Sequence, residues 1–106
     1  MTPLTVPMTL MHANVPDLRR LRAFVVLAED LNFRRAAGRL HLSQPALTRL
    51  IKVLEDQLGC QLLARTTRRV ELTVAGRAFL PEARPAVLHG DKAFAFAREA
   101  AKGQRG

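Results

Sequence analysis

LNFRRAAGRLHLSQPALTRLIKVLEDQLG, residues 31–59, holds two amphipathic helical segments with a short turn between them. In the second segment Leu47, Leu50, Ile51, Leu54 and Leu58 recur at spacings of three, four and seven, so they form an aliphatic stripe along one side of a helix. Ser43 is a capping residue for that helix, and Pro45 is tolerated in a first turn whose N–H groups have no intrahelical partner. Gly59 supplies the stop. The opposite side carries Gln44, Pro45, Thr48, Arg49 and Lys52. In the first segment Asn32 caps a short helix over 33–40, with Phe33, Ala36, Ala37 and Leu40 on one face. Arg34, Arg35 and Arg39 fall largely outside that face.

Upstream, Asp17 follows Pro16 and caps a helix over 17–29 in which Leu18, Leu21, Val25 and Ala28 recur at helical spacing. Residues 1–16 carry no formal charge, contain three prolines and show no sustained period, which predicts a flexible N-terminal extension in which Met8 and Met11 are alternative starts. Downstream the period shortens. Leu62–Arg65 and Arg69–Leu72 are β-compatible runs around Thr66, Thr67 and Arg68, and predict a small hairpin wing. Thr73 caps a last helix that runs to about Lys102, and residues 103–106 read as a disordered tail. Along that helix Leu80, Ala83, Val87, Gly90, Phe94, Ala97 and Ala101 alternate by three and four, a thin seam of the sort that pairs with a second helix. Pro81 and Pro85 predict a kink within it. The expected fold is therefore mainly α: a three-helix core and wing over 17–72, followed by a long linker helix over 73–102.

Composition narrows the function. In 106 residues there is room for about one domain. Seventeen Lys and Arg against nine Asp and Glu leave +8, which attracts polyanions: nucleic acid first, an acidic membrane face second. Basic residues exceed acidic ones in both 17–72 and 73–106, so net charge alone does not locate the contact surface. The absence of Trp and Tyr leaves few platforms for stacking unpaired bases, which favours a duplex over a single strand. No apolar run approaches the roughly 20 residues needed to span a bilayer. A lone cysteine, Cys60, excludes an intrachain disulfide framework, reads as a small apolar filler and suits the cytoplasm. His12, His41 and His89 are scattered, so neither a metal site nor a cofactor is expected, and Ser43, His41 and Asp56 lack the pocket and oxyanion donors of a catalytic triad. Catalytic residues are thus expected to be none.

Two helices joined by a tight turn, the second exposing Gln, Thr and Arg near its N-terminus, meet the requirements of major-groove reading. Gln pairs with adenine and Arg with guanine in bidentate fashion, each good pair giving about 1–3 kcal/mol of discrimination, while Thr offers a hydroxyl and a methyl. Pro45 supports the helix start and offers apolar contact to a thymine methyl. Arg34 and Arg35 suit phosphate contacts, which position a protein without reading sequence. Two other classes compete: a non-specific architectural or RNA-binding protein, indifferent to the polar face at 44–52, and a protein-interaction module that uses the 73–102 seam.

Five motifs in order decide among them: RAA at 35–37, SQPALT at 43–48, LEDQLG at 54–59, LLART at 62–66 and LTVAG at 72–76. Over about 60 contiguous residues, from Asp17 to Gly76, the chain resembles the N-terminal winged helix-turn-helix of LysR-type transcriptional regulators. The resemblance implies that Gln44, Pro45, Thr48 and Arg49 face the major groove. It also implies that Arg65, Arg68 and Arg69 of the wing approach phosphate or minor groove. Asn32, Arg34, Arg35, Ser43 and Lys52 are grouped with the backbone contacts. The resemblance further implies a homodimer through 73–102, with Leu80, Val87 and Phe94 in its seam, binding an imperfect palindrome in double-stranded DNA. A tetramer is its further implication for a full-length regulator. The family's ligand-sensing domain is absent from this chain, so a small-molecule inducer is expected to act only through such an effector domain. Two departures stand out: Leu63 replaces the usual aromatic at the start of the wing, and Pro85 is an added disruption of the linker.

Overall fold

Side-chain oxygens start each of the first three helices in the computed structural model, which describes residues 17–105. The expected N-terminal extension, with His12, and Gly106 lie outside the described residues. Asp17 Oδ1 accepts from the Arg19 N–H at 2.9 Å and opens α1, Leu18–Asp30. Asn32 Oδ1 accepts from the Arg35 N–H at 2.9 Å and opens α2, Phe33–Arg39. Ser43 Oγ accepts from the Ala46 N–H at 3.2 Å and opens α3, Gln44–Leu58. Each cap satisfies a backbone donor that lacks an intrahelical partner. The hairpin follows as β1, Leu63–Arg65, and β2, Val70–Leu72, paired antiparallel with Leu63 opposite Leu72, Ala64 opposite Glu71 and Arg65 opposite Val70. Thr73 then starts α4, Val74–Arg105, its Oγ1 accepting from the Gly76 N–H at 3.0 Å.

The core lies between α1, α2, α3 and the first half of α4. Phe24, Leu27, Leu47 and Leu62 are the largest fully buried side chains, and the small Ala36 and Ala37 are buried with them. The Phe24 ring meets the Phe79 ring edge to face, with centroids 5.4 Å apart and planes at 60°. Ala83 and Val87 complete the same cluster. Gly76 permits the close approach of α4 to the wing, since a Cβ there would fall on the Leu62 carbonyl. The core therefore does not divide at 72/73, where the sequence suggests a boundary.

Several expectations are corrected here. Val87 is buried in the protomer's own core and Leu80 is half-buried against it, so Val87 is not free to pair with a second helix. A row spaced by three and four looks the same in sequence whether it faces a partner or its own domain. Leu58 and Leu18 are exposed at helix ends, and Cys60 is exposed rather than a core filler. α4 continues as one helix through Pro81 and Pro85, a continuity with which a bend at the prolines is compatible. Both prolines are exposed, so water can satisfy the carbonyls of Arg77 and Pro81 that their missing N–H groups leave unpaired. The helix also continues through Gly103 to Arg105, where a loose tail was expected. Adding residues to an existing helix is far easier than starting one, and this outweighs the cost of one glycine, about 1 kcal/mol.

Two turns use residues whose type does not announce them. Gly59 ends α3 at φ 73°, as its sequence position suggests. Leu31 ends α1 at φ 49° and His41 turns the chain between α2 and α3 at φ 56°, both left-handed without being glycine. The His41 N–H donates to the Gly38 carbonyl at 3.2 Å and the Leu42 N–H to that of Ala37 at 2.9 Å, which holds the turn closed. A left-handed backbone costs a side chain roughly 1–2 kcal/mol, offset in a glycine variant by extra freedom of the unfolded chain. His41→Gly is expected to stabilise the chain by about 0.5–1 kcal/mol, a rise of a few degrees in Tm by thermal melting. An unchanged or lower Tm would show that the imidazole makes a compensating contact.

Candidate nucleic-acid interface

Because Leu47, Ile51 and Leu54 are turned inward, the residues between them on α3 are turned out. Gln44, Pro45, Thr48, Arg49 and Lys52 together line one shallow depression of about 650 Å³. Thr48 is half-buried and the other four are exposed. A second, smaller recess of about 330 Å³ lies between the start of α2, the start of α3 and the wing. Asn32, Arg34, Gln44, Arg65, Arg68 and Arg69 are among its lining residues, so Gln44 is shared by both surfaces. Arg35 and Ser43 are exposed but line neither recess.

Chemistry at these positions is selective. Asn32 and Ser43 spend an oxygen on their caps, which leaves the amide hydrogens of Asn32 and the hydroxyl hydrogen of Ser43 as donors. Arg65 is stacked on the Phe33 ring, its guanidinium carbon 3.9 Å from the centroid, which ties the first strand of the wing to α2. Arg69 donates from Nη1 to Glu71 Oε1 at 2.8 Å. At the tip, the Thr66 hydroxyl accepts from the N–H groups of Arg68 at 3.3 Å and Arg69 at 3.0 Å, so the loop is closed by its own side chain.

Ion pairs engage some of the described arginines and leave others without a partner. Away from the recesses, Arg20 pairs with Asp17, Arg22 with Asp91, and Arg39 with Glu29 and Asp30. Hydrogen bonds to these carboxylates hold the Arg39 and Arg22 guanidiniums above their ordinary values, and the Arg22 contact holds the Asp91 carboxyl below the usual carboxylate range. Among the described residues, Arg34, Arg35, Arg49, Lys52, Arg65 and Arg68 have no ion-pair partner. Arg49 and Lys52 share the depression on α3 with Gln44 and Thr48, and Arg34, Arg65 and Arg68 share the smaller recess with Gln44. Arg19, Arg77, Arg84, Lys92 and Arg98, on α1 and α4, are likewise without an ion-pair partner among the described residues. Also among the described residues, no three His, Cys, Asp or Glu come together to hold a metal ion, and no helix is long and apolar enough to cross a membrane.

The sequence profile of the bacterial regulatory helix-turn-helix proteins of the lysR family matches residues 18–77. The chain belongs to the LysR family. Over 90 residues this LysR-family chain is 49% identical to the uncharacterized HTH-type transcriptional regulator YnfL of Escherichia coli K12, a match covering 85% of the chain and 30% of that protein. It thus spans about a third of the length of the relatives it matches. Among solved structures it is similar to the CbnR DNA-binding domain in complex with DNA, with a TM-score of 0.73, 43% identity, and coverage of 81% of this chain and 99% of that one. A complex of the BenM DNA-binding domain with catB site 1 DNA gives 0.75 and 37%, covering 81% of this chain and 97% of that one. The fold is the winged helix-turn-helix of LysR DNA-binding domains.

One residue that holds this LysR-family wing in place is marked in the sequence only as part of LEDQLG at 54–59. Glu55 Oε2 accepts from the N–H of Leu62 at 2.7 Å and of Leu63 at 3.2 Å, joining α3 to the start of β1. From the other side, Thr73 Oγ1 donates to the Gln61 carbonyl at 2.6 Å and the Thr73 N–H donates to that of Leu62 at 3.0 Å. Two strands of three residues each are marginal by themselves, so these bonds decide where the wing sits. Glu55→Ala leaves two backbone donors of buried residues without an acceptor and is expected to cost about 2 kcal/mol by urea denaturation. Glu55→Gln keeps a carbonyl acceptor and is expected to cost less; equal losses would contradict the anchoring role.

Proposed function

We propose that this chain is the sequence-specific duplex-DNA-binding part of a bacterial transcription regulator, acting by binding rather than by catalysis. α3 enters the major groove with Gln44, Pro45, Thr48 and Arg49 at base edges, where amide, hydroxyl and guanidinium groups can tell base pairs apart. Asn32, Arg34, Arg35, Ser43 and Lys52 donate to phosphates around it, and Arg65, Arg68 and Arg69 carry the wing to the adjacent backbone or minor groove. The observation that carries this reading is the grouping of Gln44, Pro45, Thr48, Arg49 and Lys52 on the outward side of α3, opposite its buried stripe. Around it Arg34, Arg49, Lys52 and Arg68 have no ion-pair partner among the described residues. The compartment this assigns is the cytoplasm.

Two copies joined through α4 would place two α3 helices in successive major grooves of an imperfect palindrome. Support for the pairing comes from Leu88, Phe94 and Phe96, all more than half exposed on α4, whose Ala83 and Val87 are buried in its own core. Assembly beyond a dimer, and any response to a small molecule, belong to a longer regulator.

Competition titrations against a selected duplex and a random one, at several salt concentrations, test the reading. Gln44→Ala and Arg49→Ala are expected to relax base preference by about 1–3 kcal/mol each. Arg68→Ala is expected to weaken both duplexes alike and to lower the salt slope by about one. Equal losses on both duplexes for all three variants would favour the non-specific architectural reading instead.

For the pairing, sedimentation of Phe94→Asp and Phe96→Asp against the parent chain is informative. The parent is expected as a dimer and at least one variant as a monomer, with helical content unchanged. A monomeric parent would overturn the pairing.

A further inference from the structure

Arg22 of α1 and Asp91 of α4 are 69 positions apart and meet as a fork, Nη1 to Oδ2 at 3.1 Å and Nη2 to Oδ1 at 2.5 Å. Its place along α4 is what gives it consequence. Up to Gly90 the helix is seated on α1, with Ala83 and Val87 in the core and Leu18 packed so closely on Gly90 that an added Cβ would come within 2.6 Å of its Cδ1. From Asp91 to Gln104 all residues are exposed. Among the described residues the fork is the last ion pair between this outer arm and the rest of the protomer.

We propose that the Arg22–Asp91 fork sets the separation between the two half-sites that a pair of chains accepts on DNA. This rests on the pairing through α4 proposed above. Arg22 and Asp91 are positioning residues here, since neither touches a base. A bidentate arginine–carboxylate pair constrains angle as well as distance, which a single-point contact does not. The outer arm of about fifteen residues is about 22 Å long at 1.5 Å per residue. A swing of roughly 10° at its base therefore moves the far end by about 4 Å, close to the rise of one base pair, about 3.4 Å. Arg19 and Arg98 line the same recess as Arg22, with Asp91 as its acidic residue. Removing that carboxylate leaves Arg19, Arg22 and Arg98 without an acid in the recess between α1 and the outer arm, and takes away the two-point restraint on the arm's direction.

The test uses the whole chain and a half-site recovered by it from a random duplex pool. Duplexes carrying two copies of the half-site, with separation varied in single base-pair steps, are titrated with the parent, with Asp91→Asn, and with the exchange of Arg22→Asp and Asp91→Arg. The parent is expected to peak sharply at one separation. In Asp91→Asn the discrimination against neighbouring separations is expected to fall by about fivefold, the size set by one well-formed exposed ion pair. Affinity for a duplex with a single half-site, sedimentation and Tm are expected to stay near parental, and the exchange to restore the peak. An equally sharp profile for Asp91→Asn, or a flattened profile that the exchange leaves flat, overturns this proposal alone. A parent that sediments as a monomer or selects no paired site overturns the pairing and this proposal together.

Discussion

Burial of one stripe on α3 is the constraint from which the rest follows. Leu47, Ile51 and Leu54 are sealed against α1 and α2, and each fully buried aliphatic side chain contributes about 1.5–3 kcal/mol. A helix seated that way cannot rotate without exposing its leucines, so Gln44, Thr48 and Arg49 keep a fixed direction. The same helix carries Glu55 one turn further along, and through it the orientation of α3 is passed to the wing. One element thus sets both the polar face and the hairpin beside it.

Electrostatics completes what packing begins. Glu29 and Asp30 at the end of α1 engage Arg39 of α2, and Asp91 of α4 engages Arg22 of α1. On the wing Glu71 occupies Arg69. Stacking of Arg65 on Phe33 adds order, because a guanidinium held flat on a ring has less freedom to lose when it meets a phosphate.

Legibility in the sequence tracked the range of the interaction. Caps at Asp17, Asn32 and Ser43, the stop at Gly59 and the inward stripe of α3 depend on neighbours within one or two turns, and the residue types announce them. The outward set at 44–52 was legible for the same reason, being the complement of that stripe. Long-range partners were not. Nothing local in Phe24 says that it meets Phe79, or in Arg22 that it meets Asp91. Val87 was misassigned because a periodic row does not name the surface it covers. The left-handed turns at Leu31 and His41 were missed because no glycine marks them in the sequence. Gly76 did carry a signal, since a buried glycine at the start of a helix has a packing reason more often than not.

The sharing of aromatic rings between α1 and α4 bears on where this domain ends. The family profile stops at residue 77, yet Phe24 rests on Phe79 and apolar packing runs on to Val87. A chain cut at 77 would hydrate the ring at the centre of the bundle. The smallest cooperative unit accordingly reaches the second proline and a little past it, while the segment beyond Gly90 can be shortened, extended or fused to another protein with little thermodynamic penalty to the fold.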